Sequence, residues 1–427
     1  MVEVIVGILL GIIVLVMTIS GTKEKNLQLK LSSPLYYSLI LFLFAAFVFL
    51  LFWKVDEVPV PYHADEAGAI YDGLSIAKYH CDRWTVRFPV YFMNFGTHGS
   101  SALYGYSAAL MFLLFGYSVV SARLPAIIFS IFSVLIFTMT IRRTKGRVAS
   151  VLALAFFCIL PFSIMHSRWG LDAYLLFPML TISCSFFLYA VSSGKISWFI
   201  VSGILFGITL YSYSVTYILL PLLLGVNLIY LLLIQKIQWK QILAMGIPLF
   251  IFAFPLILMI AINNGFIPEI RTRFFSIPKL ESYGVTDLRL KNIIANLSFS
   301  EYNIFYRIFV DDFLHYNVLP QFGTMYFISI PFVIYGFVLG IRNTLDSIKG
   351  KKYSLDFLMI SLFCLVLCIN LITEKTNVNR CCAIYIPLIY FLVIASKKIL
   401  ERRKSAAILA AGIYLFCFPS FLHYYFT

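Results

Sequence analysis

The chain has 427 residues, of which 61% are hydrophobic and only 12% are charged, and its mean hydropathy is +0.92. A soluble domain carries about 25% charged residues, so this composition excludes a soluble nucleotide-binding fold, a disulfide scaffold and a nucleic-acid binder. The net charge of +14 is typical of a membrane protein whose cytoplasmic loops are rich in Lys and Arg.

Apolar runs of about 20 residues recur along the chain, and each is long enough to cross about 30 Å of hydrocarbon. The sequence therefore predicts an all-α polytopic membrane protein with about 12 transmembrane helices. The runs lie at residues 2–20, 35–53, 118–141, 148–165, 172–191, 197–213, 215–234, 242–262, 323–341, 354–372, 381–396 and 405–424.

The connections between these runs are of two kinds. Short connections such as residues 142–147 are basic, whereas the two long loops at residues 54–117 and 263–322 hold many of the acidic residues. The positive-inside rule places the short basic connections in the cytoplasm, and it places the long loops and both chain ends outside.

Two segments of the first long loop are predicted to be helices that do not cross the membrane. Residues 101–116 are apolar but form a helix of only about 24 Å, and a full span there would place residues 142–147 outside. We therefore expect an interfacial or re-entrant helix. An amphipathic helix on the outer membrane surface is predicted after Glu66 because apolar residues recur there with helical spacing. This apolar stripe comprises Ala67, Ile70, Tyr71, Leu74 and Ala77.

Charged residues at the edges of the spans are the candidates for chemistry, since ionisable groups at membrane depth are costly and need a partner or a function. Asp65 and Glu66 open the predicted amphipathic helix, where the helix N-terminus alone would favour carboxylates. Arg168 and Asp172 stand four residues apart at a span boundary, where a structural ion pair on one helical face is the alternative to a functional role.

Three motifs in chain order resemble those of the GT-C glycosyltransferases, in the branch of the protein O-mannosyltransferases and the lipid A aminoarabinose transferases. Residues 62–67 (YHADEA) resemble the Asp-Glu motif in the first large outer loop. Residues 115–118 (FGYS) lead into residues 121–126 (SARLPA), and Ser167-Arg168 is followed by Asp172. The resemblance covers roughly residues 35–235. The chain departs from it in an additional first span and at residues 95–101 (FGTHGSS), where relatives commonly have Lys-Pro-Pro or His-Pro-Pro.

The resemblance implies transfer of a sugar from a polyprenyl-phosphate donor to an acceptor hydroxyl on the outer face of the cell membrane. The acceptor would be a glycan, a lipid or a protein, and the sugar a hexose or a pentose. No nucleotide-binding motif is found in the sequence. Asp65 would be the catalytic general base that deprotonates the acceptor during an inverting transfer. Glu66 would orient Asp65 or bind the acceptor, and Asp172 would contact the sugar or the acceptor.

The departing phosphate requires cationic stabilisation, for which Arg is well suited. The predicted substrate-binding residues besides Asp172 are Arg168, His98, Arg380, Arg271 and Arg273. Lys279 is a further cation of the outer loops, and anchoring of lipid headgroups is the alternative role for Arg380. No cofactor is required by this mechanism. A divalent cation stays open as an alternative, with four candidate ligands: His63, Asp65, Glu66 and His98.

Three regions follow along the chain in this interpretation. Residues 1–34 hold the additional transmembrane helix and a cytoplasmic loop, residues 35–241 form the catalytic transmembrane module, and residues 242–427 form the C-terminal helices. Two alternatives stay open. A lipid-linked polysaccharide polymerase or ligase should rely mainly on outer Arg and His, and a transporter or flippase should show internal repeats and charge near the midplane of the membrane.

Overall fold

The computed structural model describes residues 2–20, 31–60, 62–94, 98–272, 274–280, 288–298, 303–312, 316–374 and 376–427, with Asn94 and His98 described by their backbone alone. The described chain is almost entirely helical. In the first half the helices are α1 (Val2–Ser20), α2 (Ser33–Phe52), α3 (Ala64–Tyr79), α4 (Ala102–Phe115), α5 (Val119–Lys145), α6 (Arg147–Ile159), α7 (Pro161–His166), α8 (Asp172–Ser193) and α9 (Ile196–Thr209). In the second half they are α10 (Thr216–Leu233), α11 (Trp239–Asn263), α12 (Asn292–Leu297), α13 (Ile304–Phe309), α14 (Ser329–Lys349), α15 (Leu355–Ile372), α16 (Val378–Cys381), α17 (Tyr385–Arg402) and α18 (Lys404–Phe426).

Nine stretches among the described residues are long and apolar enough to cross a membrane. They are α1, α2, α5, α8, α10, α11, α15, residues 378–402 and α18. The three other predicted spans are also helical, in α6 with α7, in α9 and in α14. The prediction of an all-α multi-pass membrane protein is thus confirmed.

Two short antiparallel ribbons interrupt the helices in the long loops. Strand β1 (Phe92–Asn94) pairs with β2 (His98–Ser100), and β3 (Ile270–Arg271) pairs with β4 (Ser276–Ile277). Neither ribbon is predicted from the sequence, since strands of two or three residues are too short to show a periodic pattern. The first ribbon leads directly into α4.

The chain divides into two compact units that interleave along the sequence. One unit comprises residues 1–54, 134–166 and 289–427, and the other comprises residues 55–133 and 167–288. The predicted division into three consecutive regions rests on function and stays a prediction.

In the first unit, buried polar contacts join connections that were predicted to be cytoplasmic. Lys145 Nζ lies 2.5 Å from an oxygen of the buried Asp356 carboxylate, and Lys397 Nζ donates to the Lys145 carbonyl at 2.9 Å. Three basic connections therefore meet at one end of this unit, as their assignment to the same side of the membrane requires.

In the second unit, α3 packs closely against α4. A Cβ atom on Gly73 would lie 2.9 Å from the Gly105 carbonyl oxygen, so glycine is needed for this approach. The helix predicted after Glu66 is confirmed, but its buried face differs from the predicted stripe because α4 covers it. Ile70 and Ile76 are buried, whereas Tyr71 is 58% exposed. The apolar run at residues 101–116 is α4, a helix of 14 residues, and its interfacial placement stays a prediction.

Candidate functional site

The first turn of α3 presents the Asp65 carboxylate to solvent. His63 caps this helix, and its Nδ1 accepts a hydrogen bond from the Asp65 amide at 3.2 Å. The same Nδ1 lies 3.6 Å from an Asp65 carboxylate oxygen, which is too long for a hydrogen bond. The Asp65 side chain is 49% exposed, and the positive end of the helix dipole favours its negative charge.

The next side chain, Glu66, points into the protein and is fully buried. Its Oε1 accepts hydrogen bonds at 3.0 Å from Arg123 Nε and at 3.0 Å from the Gly170 amide. A Cβ atom on Gly170 would lie only 2.8 Å from Glu66 Oε1, so only glycine fits at this position. Glu66 thus joins the start of α3 to α5 and to the turn before α8.

The Arg123 guanidinium is buried and donates hydrogen bonds to three residues. Besides Glu66, it donates to the Val55 and Pro59 carbonyls, each at 2.8 Å. The rings of Tyr62 and Trp169 lie 5.3 and 6.0 Å from its central carbon, within reach of a cation–π interaction. Burial, as the main cause, raises the pKa of Tyr62 to about 12, which keeps its hydroxyl neutral beside Glu66.

Arg123 is a site residue that the sequence analysis did not single out. It belongs to the SARLPA motif, and it is a charged residue within the apolar run at 118–141. An ionisable group in such a run requires a buried partner, so the signal was present in the sequence. Only the folded chain shows that the partner is Glu66.

Asp172 begins α8 and connects it to the start of α4. Its Oδ2 accepts a hydrogen bond from the Ser101 amide at 2.9 Å, and its Oδ1 accepts one from the Ala173 amide at 2.7 Å. The Asp172 and Asp65 carboxylates also interact electrostatically. The structure therefore brings three of the predicted site residues, Asp65, Glu66 and Asp172, together in the second unit.

Arg168 lies in the turn between α7 and α8, is fully buried, and donates to the Val58 carbonyl at 2.9 Å. Because α7 ends at His166 and α8 begins at Asp172, Arg168 and Asp172 do not share a helical face. The helical ion pair considered as their alternative role thus lacks the geometry it needs. Both buried arginines, Arg123 and Arg168, instead bind carbonyls of the segment that leads into α3.

Two of the other predicted cations, Arg271 and Arg380, make local contacts. Arg271 is exposed and pairs with Glu269 at 3.0 Å in the second unit. Arg380 belongs to the first unit, where it donates to the Glu374 carbonyl. Arg273 and the His98 side chain lie outside the part of the chain that the structure describes.

A second buried ion pair holds the loop that follows α3. The Arg83 guanidinium binds the buried Asp72 carboxylate through two contacts, at 3.0 and 2.8 Å, and the Arg83 amide donates to the same carboxylate at 3.1 Å. Burial raises the pKa of Asp72, and the bonds from Arg83 oppose that shift. Sequence reasoning missed this pair because the two residues are separated by the end of the helix.

Metal-binding side chains do not converge within the described ranges: no three His, Cys, Asp or Glu residues there could hold a metal ion. Among the residues considered as ligands of a divalent cation, Glu66 directs its carboxylate towards Arg123 and Gly170. His63 caps α3 next to Asp65.

The fold is that of a multi-pass helical membrane protein, and it is similar to the fold of a GT-C glycosyltransferase, the resemblance that the three motifs predicted. Residues 100–262 match the sequence model of a family, dolichyl-phosphate-mannose-protein mannosyltransferase. This stretch contains Ser101, Arg123, Arg168 and Asp172 but begins after Asp65 and Glu66. Comparison with curated protein sequences gives no match.

Three solved structures have a fold similar to that of this chain over most of its length. ArnT from Cupriavidus metallidurans bound to undecaprenyl phosphate has a TM-score of 0.57 at 12% identity over 91% of this chain and 64% of that one. The apo state of ArnT has a TM-score of 0.57 at 14% identity over 84% of this chain and 60% of that one. The Archaeoglobus fulgidus oligosaccharyltransferase tethered to an acceptor peptide has a TM-score of 0.51 at 13% identity over 86% of this chain and 50% of that one. The chain thus spans less than two thirds of the length of each.

Proposed function

We propose that the chain is a membrane glycosyltransferase that moves a hexose or a pentose from a polyprenyl-phosphate donor to an acceptor hydroxyl. The transfer would occur on the extracytoplasmic face of the cell membrane, and the acceptor would be a glycan, a lipid or a protein. The GT-C fold, the matched family and the undecaprenyl phosphate bound by ArnT support this class of donor. Neither the polymerase nor the transporter alternative gains a specific observation from the structure.

The observation that carries the proposal is the contrast between two adjacent carboxylates. Asp65 is half exposed at the start of α3, whereas Glu66 is fully buried and bound to Arg123 and Gly170. An exposed carboxylate can accept a proton from an incoming hydroxyl, and the anchored helix holds this carboxylate in position. We therefore assign the general base to Asp65.

The chemistry requires one base and no general acid. Asp65 would remove the proton of the acceptor hydroxyl as its oxygen attacks the anomeric carbon, and the carbon–oxygen bond to the lipid phosphate would break. The phosphate leaves as a stable anion, so no residue need protonate it. Attack from the side opposite to the leaving phosphate inverts the anomeric configuration.

The other site residues take supporting roles in this proposal. A positioning role is proposed for Glu66, since Arg123 and the Gly170 amide already bind its carboxylate. Asp172 lies beside Asp65 and is proposed to bind the sugar. The proposed contacts for the donor are Arg168, His98, Arg380, Arg271 and Arg273.

A comparison of strains tests the function and the base together. Cell-envelope glycans would be compared by mass spectrometry between the wild type, a deletion strain and strains with Asp65→Asn or Asp56→Asn. Asp56 is the matched control because it is an exposed carboxylate nine residues before Asp65 in the same loop. We expect one defined sugar to be lost in the deletion and Asp65→Asn strains and to persist with Asp56→Asn.

Other results would separate the class from the mechanism. If the deletion removes a sugar and Asp65→Asn retains more than a few per cent of it at equal protein level, Asp65 is not the base. If neither strain changes any glycan although the protein is well expressed, the glycosyltransferase proposal is refuted.

A further inference from the structure

Ser101 has a buried hydroxyl that makes no hydrogen bond within the part of the chain that the structure describes. The residue is 3% exposed, and within the described ranges its Oγ has neither accessible area nor a hydrogen-bond partner. Leaving a buried hydroxyl unpaired is destabilising, and such groups in folded proteins call for an explanation.

The ordinary role of a serine at this position is absent. Ser101 is the N-cap residue of α4, where a serine hydroxyl usually accepts a hydrogen bond from an amide in the first turn. Here the Ser101 side chain makes no such bond. The Leu103 amide, one of its usual donors, instead binds the Tyr211 carbonyl at 3.0 Å.

The position of Ser101 ties it to the proposed active centre. Its backbone amide binds Asp172 Oδ2 at 2.9 Å, and the Asp172 carboxylate interacts electrostatically with Asp65. The starts of α4 and α8 therefore meet within the same cluster as the start of α3. The unpaired hydroxyl therefore belongs to the residue whose amide binds Asp172, the carboxylate that interacts with Asp65.

The charge of this cluster determines what kind of group would complete it. A further anion such as phosphate would be repelled by Asp65 and Asp172. A neutral hydroxyl suits all three partners, since it can donate to a carboxylate and accept from, or donate to, the serine. Serine can turn its hydroxyl among three staggered positions, so Oγ can rotate from its packed position towards an incoming group.

We propose that Ser101 is a specificity-determining residue that hydrogen-bonds a ring hydroxyl of the transferred sugar beside Asp172. This inference rests on the proposed function, in which Asp172, the carboxylate bound by the Ser101 amide, binds the transferred sugar. The hydroxyl of Ser101 then selects for a sugar with a hydroxyl at one ring position.

Binding, rather than turnover, provides the test. The full-length protein in nanodiscs would be titrated with undecaprenyl phosphate and with undecaprenyl phosphate carrying mannose, glucose, galactose or aminoarabinose, with thermal unfolding as the readout. We expect at least one sugar-bearing carrier to bind the wild type more tightly than the bare carrier. Ser101→Ala should weaken that carrier roughly 3- to 10-fold, the effect of losing one hydrogen bond, and leave the bare carrier unchanged.

Two controls separate specificity from structure. Ser100→Ala removes the adjacent hydroxyl and should bind all carriers like the wild type. Ser101→Ala without ligand should melt at the same temperature as the wild type or above it, because an unpaired buried hydroxyl has been removed. A series of monodeoxy sugars on the preferred carrier should then show one position at which the wild type loses affinity and Ser101→Ala loses nothing further.

The outcomes distinguish this inference from the proposed function. Equal binding of sugar-bearing and bare carriers by the wild type, or an unchanged preference in Ser101→Ala, overturns the role of Ser101. A wild type that shows the Ser101-dependent preference but transfers no sugar refutes the proposed function and leaves Ser101 as part of a sugar-binding site.

Discussion

Arg123 Nε lies 3.0 Å from Glu66 Oε1, and both side chains are buried. This ion pair joins α5 to the helix start that carries Asp65. Removing one member of a buried pair leaves an uncompensated charge, which costs about 3–5 kcal/mol. The pair therefore couples the stability of the second unit to the position of the proposed base.

Arg123→Ala and Glu66→Ala are expected to reduce the free energy of unfolding by about 3–5 kcal/mol each. The double variant should lose much less than the sum, since neither charge is then left alone. Thermal unfolding in detergent measures both effects, with Arg143→Ala as an exposed control. Additive losses would show that the two side chains do not act as a pair.

Gly170→Ala is expected to be destabilising by about 1–3 kcal/mol, because overpacking forces buried neighbours to move. The new Cβ would lie 2.5 Å from Tyr104 Oη and 2.8 Å from Glu66 Oε1. Gly225→Ala is the matched control, since its Cβ would meet nothing within 4 Å and alanine favours a helix. A Gly170→Ala variant as stable and as active as Gly225→Ala would contradict the observed packing.

Arg83→Ala is expected to make the stability of the protein depend on pH through Asp72. Without Arg83, burial alone acts on this carboxyl group, so its pKa in the folded protein rises further above its unfolded value of about 4. The folded state then holds a proton that the unfolded state has lost, and stability falls as the pH rises from about 4 towards the folded pKa.

Unfolding of Arg83→Ala and of the wild type would therefore be followed between pH 5 and 8. The difference between the two proteins should grow with rising pH, and Arg87→Ala, which removes an exposed neighbouring charge, should not show it. A difference that shrinks as the pH rises would contradict a raised pKa of Asp72 in the folded variant.

Cysteine labelling tests the predicted orientation. Arg143→Cys lies in a connection predicted to be cytoplasmic, and Tyr79→Cys lies in the first long outer loop at a side chain that is 72% exposed. With an impermeant maleimide on intact cells, we expect labelling of the second variant and not of the first. The unmodified chain, with its own eight cysteines, provides the background. Labelling of Arg143→Cys from outside would overturn the orientation.

The sequence alone determined the class of fold, because long apolar runs leave a polypeptide few choices other than helices in a membrane. It also placed Asp65, Glu66 and Asp172 among the candidate residues, since carboxylates at span boundaries are costly to keep without a reason. Their motifs suggested a resemblance to the GT-C glycosyltransferases, and the fold is similar to that of ArnT.

Only the tertiary structure decided which of these charges face each other. Glu66 and Arg123 are 57 residues apart in the chain, and Ser101 and Asp172 are 71 apart. Helical periodicity relates residues a few positions apart, so it is silent on contacts at these separations. Packing of α3, α4, α5 and the start of α8 turned one carboxylate inward to an arginine and left its neighbour at the surface. The difference in burial between Asp65 and Glu66 depends on these tertiary contacts, because two adjacent acidic residues in a sequence do not show which of them is buried.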